Sequence, residues 1–260
     1  MKNLKNILIG LVIIIVLVIG TIAIFDKEEI KEDSKGEEIV EKEKIIMVTE
    51  AGFAPYEFYE GEEIVGVDVE IAKKIAEKTG KELEIKDTDF DSIINEVKTG
   101  KADFAAAGLS ITEERLQEVD FSVEYAVSKQ VIVVKDESSA ESIEDFNGKK
   151  VAVQLGTIAD LVLSDENPEV ELVQHKKYLL AVEDLKADKV DAIVLDSLPA
   201  EEIINKNPEL KILEKEVLTD KYGIAVQKGN TELLNQINEV LNELMNSGKI
   251  QEYTINYLGE

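Results

Sequence analysis

The sequence predicts an α/β protein whose two lobes each carry a mostly parallel sheet under helices. Three observations lead there. From residue 45 onward, short apolar runs alternate with helix-patterned segments, as βαβ units require. The alternation starts afresh near residue 131. A local motif also repeats: Lys98-Thr-Gly-Lys-Ala-Asp103 runs into Phe104-Ala-Ala-Ala, and Lys186-Ala-Asp-Lys-Val-Asp191 runs into Ala192-Ile-Val-Leu. Each copy is a helix end, a tight turn and a buried strand. Two lobes of like build would turn the carboxyl ends of these strands toward each other, where open α/β sheets bind ligands.

The elements follow in order. The apolar run at residues 45–49 reads as a buried strand. Apolar side chains at positions 69, 71, 72, 75 and 76 make one helical face over residues 69–79, closed by Gly80. A strand at 83–85 comes next. Asp91 is the expected N-cap of a helix running through Thr99, with Gly100 ending it. Residues 102–107 form another strand. In the second run, 131–134, 151–154 and 192–196 read as strands, and 158–163, 179–187 and 201–205 as helices. The chain closes with a strand at 223–226 and an amphipathic helix at 233–247.

Ahead of this body lies a different kind of sequence. Residues 7–25 are uncharged and almost wholly apolar, behind Lys2 and Lys5. A helix of about 20 such residues spans a bilayer, and lysines in front keep the N-terminus in the cytoplasm. Residues 1–25 are therefore expected to be a transmembrane signal anchor. A cleaved signal peptide is the alternative, although Thr21, Ala23 and Phe25 give no A-x-A cleavage pattern. Residues 26–44 are rich in Glu, Asp and Lys and read as a charged linker. The folded body is expected on the extracytoplasmic side of the cell membrane.

Composition removes several functions. The net charge of −26 repels phosphate backbones, so no nucleic acid is expected as a partner. The chain has no cysteine, which excludes disulfides, thiolate metal sites, cysteine nucleophiles and a lipidated cysteine tether. Its single histidine, His175, cannot build a histidine metal site and is expected at the surface near a strand end. No metal or cofactor is implied.

The stretch with most chemistry is Ala107-Gly-Leu-Ser-Ile-Thr-Glu-Glu-Arg115, followed by Val119-Asp-Phe-Ser122 and Tyr125. Gly108 allows close approach to the backbone. Ser110 offers a hydroxyl and an amide. The Arg115 fork matches a carboxylate bidentately. Thr112 suits an N-cap, with Glu113 and Glu114 in the first turn. On the residues alone, an ordinary capped helix with Arg115 paired to a neighbouring Glu fits equally.

Residues 105–125, AAAGLSITEERLQEVDFSVEY, resemble the motif of the family 3 solute-binding proteins, the polar amino-acid binders. Further segments match in order: VTEAGFAPYEF at 48–58, GVDVEIAKKIAEKTG at 66–80, FNGKKVAVQLGT at 146–157, KVDAIVLD at 189–196 and YGIAVQKGN at 222–230. The resemblance covers residues 45–257. It implies a periplasmic-binding-protein-like type II fold, with two lobes joined by a two-strand hinge. Lobe 1 would be 45–126 plus 223–260, and lobe 2 would be 127–222. The crossings would lie near 123–129 and 219–223. Glu124 stands where the family usually has proline, which puts hinge stiffness in doubt.

Carried over residue by residue, the resemblance implies that Arg115 clamps the α-carboxylate of a free amino acid. Ser110 would assist it, with backbone amides from Thr157 and Ile158 at a helix N-terminus. Asp196 would take the α-ammonium, helped by the Gly108 carbonyl. Phe53 and Phe90 would flank the side chain, unless they are plain core. Glu50 would face its distal end and favour arginine, lysine or a glutamine-like amide. Pairing of Glu50 with a protein cation is the alternative. Gln154 is a neutral neighbour facing the same side chain.

The expected function is the substrate-binding component of an amino-acid ABC transporter. It would be monomeric and would deliver its ligand to a membrane permease, with no catalytic step. A sensory module for a membrane signalling system is the alternative. A dehydratase on the same fold is the other, but the cleft offers no dedicated general acid beyond Glu50.

Overall fold

The computed structural model describes residues 43–258. The expected anchor and most of the linker lie outside those residues. No helix among the described residues is long and apolar enough to cross a membrane.

In chain order, β1 (Lys44–Thr49) leads into a three-stranded antiparallel ribbon of β2 (Gly52–Phe53), β3 (Glu57–Glu60) and β4 (Glu63–Val65). Helix α1 (Val67–Thr79) and β5 (Glu82–Asp87) follow. Next come a 3-10 turn (Phe90–Ser92), α2 (Ile93–Lys98), β6 (Phe104–Ala105), α3 (Glu113–Glu118) and β7 (Val119–Phe121). The chain then enters β8 (Ala126–Lys135). The second sheet adds β9 (Lys150–Gln154), α4 (Ile158–Glu166), β10 (Glu171–His175), α5 (Tyr178–Lys186), β11 (Ala192–Asp196) and α6 (Ser197–Lys206). It closes with β12 (Leu210–Ile212) and β13 (Leu218–Tyr222). The return strand β14 (Ala225–Gln227) rejoins the first sheet ahead of α7 (Thr231–Asn246) and α8 (Lys249–Leu258).

Each sheet is mostly parallel in strand direction, as expected, with one strand reversed: β14 in the first and β8 in the second. The first runs β5-β1-β6-β14-β7, and the second runs β10-β9-β11-β8-β12 with β13 on β8. In the first, β1 pairs parallel with β5 and β6, while β14 is antiparallel to β6 and β7. In the second, β9 pairs parallel with β10 and β11, but β8 is antiparallel to β11, β12 and β13. The reason is the double crossing. A strand that passes out of one sheet and returns from the other must oppose the βαβ strands it joins. Its long antiparallel ladder runs from Ala126↔Tyr222 to Gln130↔Leu218. Backbone bonds from Tyr125 to Tyr222 at 3.0 Å and from Ser122 to Ile224 at 2.9 Å tie the two crossing segments together. Lys221 pairs with Glu124 across them at 2.7 Å.

Apolar periodicity sets the packing. Val67, Val69, Ile71, Ala72 and Ile75 are fully buried on one face of α1. They share a core with Ile237, Val240 and Leu241 of α7. Gly80 ends α1 in the left-handed conformation at φ 70°, donating back to Ala76 and Glu77, a conformation glycine adopts at no steric cost. The C-terminal α8, which carries no helix expectation in the sequence, docks Tyr257 against Phe58 edge-on at 6.0 Å and onto Glu70 at 3.2 Å. The second sheet has its own core around Ile132, Val151, Val153, Leu163 and Val194.

Candidate functional site

Every segment expected at the site leaves the carboxyl end of a parallel strand. Glu50 follows β1, Gly108 and Ser110 follow β6, Gln154 ends β9 and Asp196 ends β11. The two sheets thereby aim these ends into one cleft, the position open α/β sheets reserve for ligands. About 290 Å³ of space, part of it open to solvent, is lined there by Glu50, Phe53, Phe90, Gly108 and Ser110 from one side. Gln154, Thr157, Ile158, Tyr178 and Asp196 line the other. Nine of the ten expected residues are thus together. Arg115 sits just behind the wall.

Arg115 is 6% exposed, and its guanidinium reaches from its own helix to the turn after β9. One nitrogen donates to the Ser110 carbonyl at 2.6 Å and another to the Gly156 carbonyl at 2.9 Å. Its carbon lies 5.6 Å from the centre of the Phe90 ring. Burial brings its pKa down to about 10, a fall opposed by the nearby Asp220, Glu114 and Asp196 charges. It does not pair with a neighbouring Glu. Thr112 caps the short helix that carries it, accepting from the Arg115 amide at 3.1 Å.

Asp196 faces it from the second sheet. Ser128 and the Gln130 amide each donate to its Oδ1 at 2.7 Å, and the Tyr222 hydroxyl donates to the same oxygen. Burial, then the charge of Asp220, raises its pKa to about 6. Asp220 in turn accepts from the Ser110 hydroxyl at 2.5 Å. Ser110 therefore spends its hydroxyl on a protein carboxylate, where the sequence reading assigned it to ligand. The Thr157 amide likewise has an internal acceptor, the Gln154 carbonyl at 3.3 Å, while its hydroxyl caps α4.

The aromatic walls are both core and lining. Phe53 stacks on Tyr56 at 5.8 Å and on Tyr178 at 5.9 Å. Gly108, at φ +51°, would drive a Cβ to 2.6 Å from the Phe53 ring. Its glycine requirement thus comes from this ring as much as from any ligand. Its amide donates to the fully buried Asp68 at 2.9 Å, which also takes the Tyr125 hydroxyl at 2.7 Å.

At the far end, Glu50 is buried and meets a protein cation. Lys177 donates to its Oε1, and Gln154 donates to Oε2 at 3.2 Å and to the Lys176 carbonyl at 2.9 Å. Lys176 pairs with Asp89 beside it. One expectation fails here, and one holds only in part. Asp91 is no N-cap: α2 starts at Ile93 behind a 3-10 turn, with no side-chain cap. The backbone of Asp91 instead packs where a Cβ on Gly156 would come within 3.3 Å. His175 ends β10, as expected, but is only partly at the surface. Its side chain is 14% exposed, with Nε2 3.3 Å from Asp184.

Sequence reasoning missed Asp220, Ser128, Gln130, Tyr178, Tyr222 and Lys177. Ser128 and Gln130 had a readable signal, uncharged polar residues two apart, and so on one face, just ahead of the apolar run 131–134. The others had none. Among the described residues, no group of three or more His, Cys, Asp or Glu side chains is arranged to hold a metal.

Known proteins share this fold. The chain is 34% identical to the arginine-binding extracellular protein ArtP of Bacillus subtilis over 215 residues, covering 81% of this chain and 84% of ArtP. A mutant of ArgBP from T. maritima superposes with a TM-score of 0.80 at 41% identity, over 84% of this chain and 96% of that one. AbpA from Streptococcus pneumoniae, in a structure bound to L-arginine, gives a TM-score of 0.80 at 31% identity, over 83% and 94%. The profile of the "Bacterial extracellular solute-binding proteins, family 3" matches residues 45–260, and the chain belongs to that family.

Proposed function

We propose that this protein is the extracytoplasmic substrate-binding component of an amino-acid ABC transporter. Its ligand is a free L-amino acid with a basic or amide side chain, and no catalytic step is involved. The observation that carries this reading is a pair of opposite buried charges at one cleft: the Asp196 carboxylate on its wall, and the Arg115 guanidinium just behind the wall, bonded to the Gly156 carbonyl. A zwitterion satisfies both at once, and charge-assisted bonds in a dry cleft are strong. The Ile158 amide and the positive end of α4 add an anion site beside Arg115. Arginine-binding relatives support a basic side chain against Glu50.

Residues 45–126 with 223–260 act as one lobe and 127–222 as the other. The crossings beside β8 and β13 are the hinge, and ligand contacts made only in the closed form drive closure. Glu124 and its Lys221 partner fill the hinge position where the family carries proline. The closed monomer is what a membrane permease recognises, and the apolar N-terminal segment tethers it to the membrane. The test is a thermal-shift screen of the full chain against each common amino acid. A ligand that binds only the folded state at about 100 times its Kd adds about 2.7 kcal/mol of stability. Arginine, lysine, histidine or glutamine is expected to raise Tm, and a screen with no shift for any amino acid overturns the reading.

A further inference from the structure

We propose that Lys177 is a specificity-determining residue, an internal cation that competes with the charged end of a ligand for Glu50; this rests on the amino-acid reading above. Glu50 leaves β1 in the first lobe, whereas Lys177 leaves β10 in the second. Their contact therefore crosses the cleft. The Glu50 side chain is 2% exposed and Lys177 is 37% exposed. A cation reaching in from the rim thus neutralises a carboxylate on the cavity wall. A second acceptor, Asp87, lies 4.0 Å from the same ammonium.

Lys177 also breaks a local rule. It occupies the N-cap of α5 and makes no side-chain cap. Lysine is a poor choice there, since Ser, Thr, Asp or Asn would bond the free amides, and a cation opposes the helix dipole. A residue that violates local preference without local gain points to work elsewhere. Here the gain is the tie to Glu50. The side chain is also well placed beside the ligand, because the next residue, Tyr178, stacks on Phe53 in the cavity wall.

The consequence is a difference between ligands of one shape. An arginine guanidinium must displace Lys177 before it reaches Glu50. L-Citrulline, its uncharged isostere, gains no ion pair from that displacement. Removal of Lys177 leaves a buried carboxylate short of a cation, which arginine can supply and citrulline cannot. Calorimetric titration of the full chain and of Lys177→Met with both compounds tests this. The arginine-to-citrulline affinity ratio is expected to rise by at least about tenfold in the variant, through tighter arginine binding. Lys177→Arg, which keeps the charge, is expected to retain the wild-type ratio within about threefold.

An unchanged ratio, or weaker arginine binding by Lys177→Met, overturns the inference while leaving the amino-acid reading intact. No binding of either compound by either protein overturns the inference, and the amino-acid reading then rests on the thermal-shift screen with the other amino acids. A fold defect in Lys177→Met is read separately: loss of Tm with an unchanged ratio in the folded fraction counts against competition.

Discussion

The two ends of the cleft are built differently. At the near end, Arg115 and Asp196 are held by groups that belong to the framework: the Ser110 and Gly156 carbonyls on one, and Ser128, Gln130 and Tyr222 on the other. Ser128, Gln130 and Tyr222 sit on β8 and β13, and the two carbonyls lie on short segments just past β6 and β9. At the far end, Glu50 is held by a lysine on a loop and by one glutamine. On the proposed reading the near end takes the groups that all amino acids share, and its geometry is fixed from several directions. The far end must discriminate, and a long flexible side chain can be exchanged there without disturbing the sheets.

The comparison breaks first at the near end. Arg115→Ala removes a buried cation and leaves the Ser110 and Gly156 carbonyls without its donors. Removing one partner of a buried charge pair costs roughly 2–5 kcal/mol. Affinity for every amino acid is expected to fall roughly a hundredfold or more by calorimetry. Asp196→Asn is expected to fall in the same range, because an amide presents no charge to an ammonium. Retention of wild-type affinity by either variant would remove that residue from the ligand contacts.

The same end carries a pH signature. Asp196 has a native pKa of about 6 against 3.8, through burial and the neighbouring Asp220 charge. Only the ionised form pairs with an ammonium, so affinity is expected to weaken as pH falls below about 6. For stability the sign is opposite to that of a salt-bridged acid. Between 3.8 and about 6 the native state holds more protons than the unfolded one. Stability therefore falls as pH rises through that window and levels off above it. Asp68, buried and also raised to about 6, adds to the fall. Asp196→Asn is expected to flatten part of the Tm–pH slope and Asp68 to keep the rest. An identical slope in the variant would assign the whole effect elsewhere.

Glu50→Gln sharpens the contrast from the other side. It leaves Lys177 facing the cleft without its carboxylate. Arginine is expected to lose about tenfold and glutamine less than about threefold, since only the cation loses a charge partner. Equal losses would mean that Glu50 does not read the side chain.

These differences follow the line between what local sequence encodes and what it does not. The buried strands and α1 were legible because apolar spacing alone determines them, and Thr112 because capping is a contact three residues long. The wall residues came from an ordered set of motifs, whose spacing the fold preserves. Asp220 and Tyr222 were not legible, because they act through a strand that pairs with β8 some ninety positions earlier. Nor was the reversal of one strand in each sheet, which follows from the double crossing and not from any residue in β8. Lys177 reaches Glu50 across 127 positions, and two adjacent lysines in a charged chain look like any solvated pair.

The smallest effect tests how finely the near end is aimed. Thr112 Oγ1 accepts from the backbone of Arg115 itself, so it caps the helix and sets the start of the side chain that crosses the cleft. Loss of such a cap costs about 1 kcal/mol of stability. Thr112→Ala is expected to lower stability by that amount, read as a lower Tm, and Thr112→Ser to restore it. If the cap only stabilises α3, affinity measured well below Tm stays at the wild-type value. If it also aims the guanidinium, Thr112→Ala weakens all amino acids by a common factor of a few, whatever their side chain, and Thr112→Ser recovers that as well. A loss confined to arginine would contradict the division of labour between the two ends, because nothing at Thr112 touches Glu50 or Lys177.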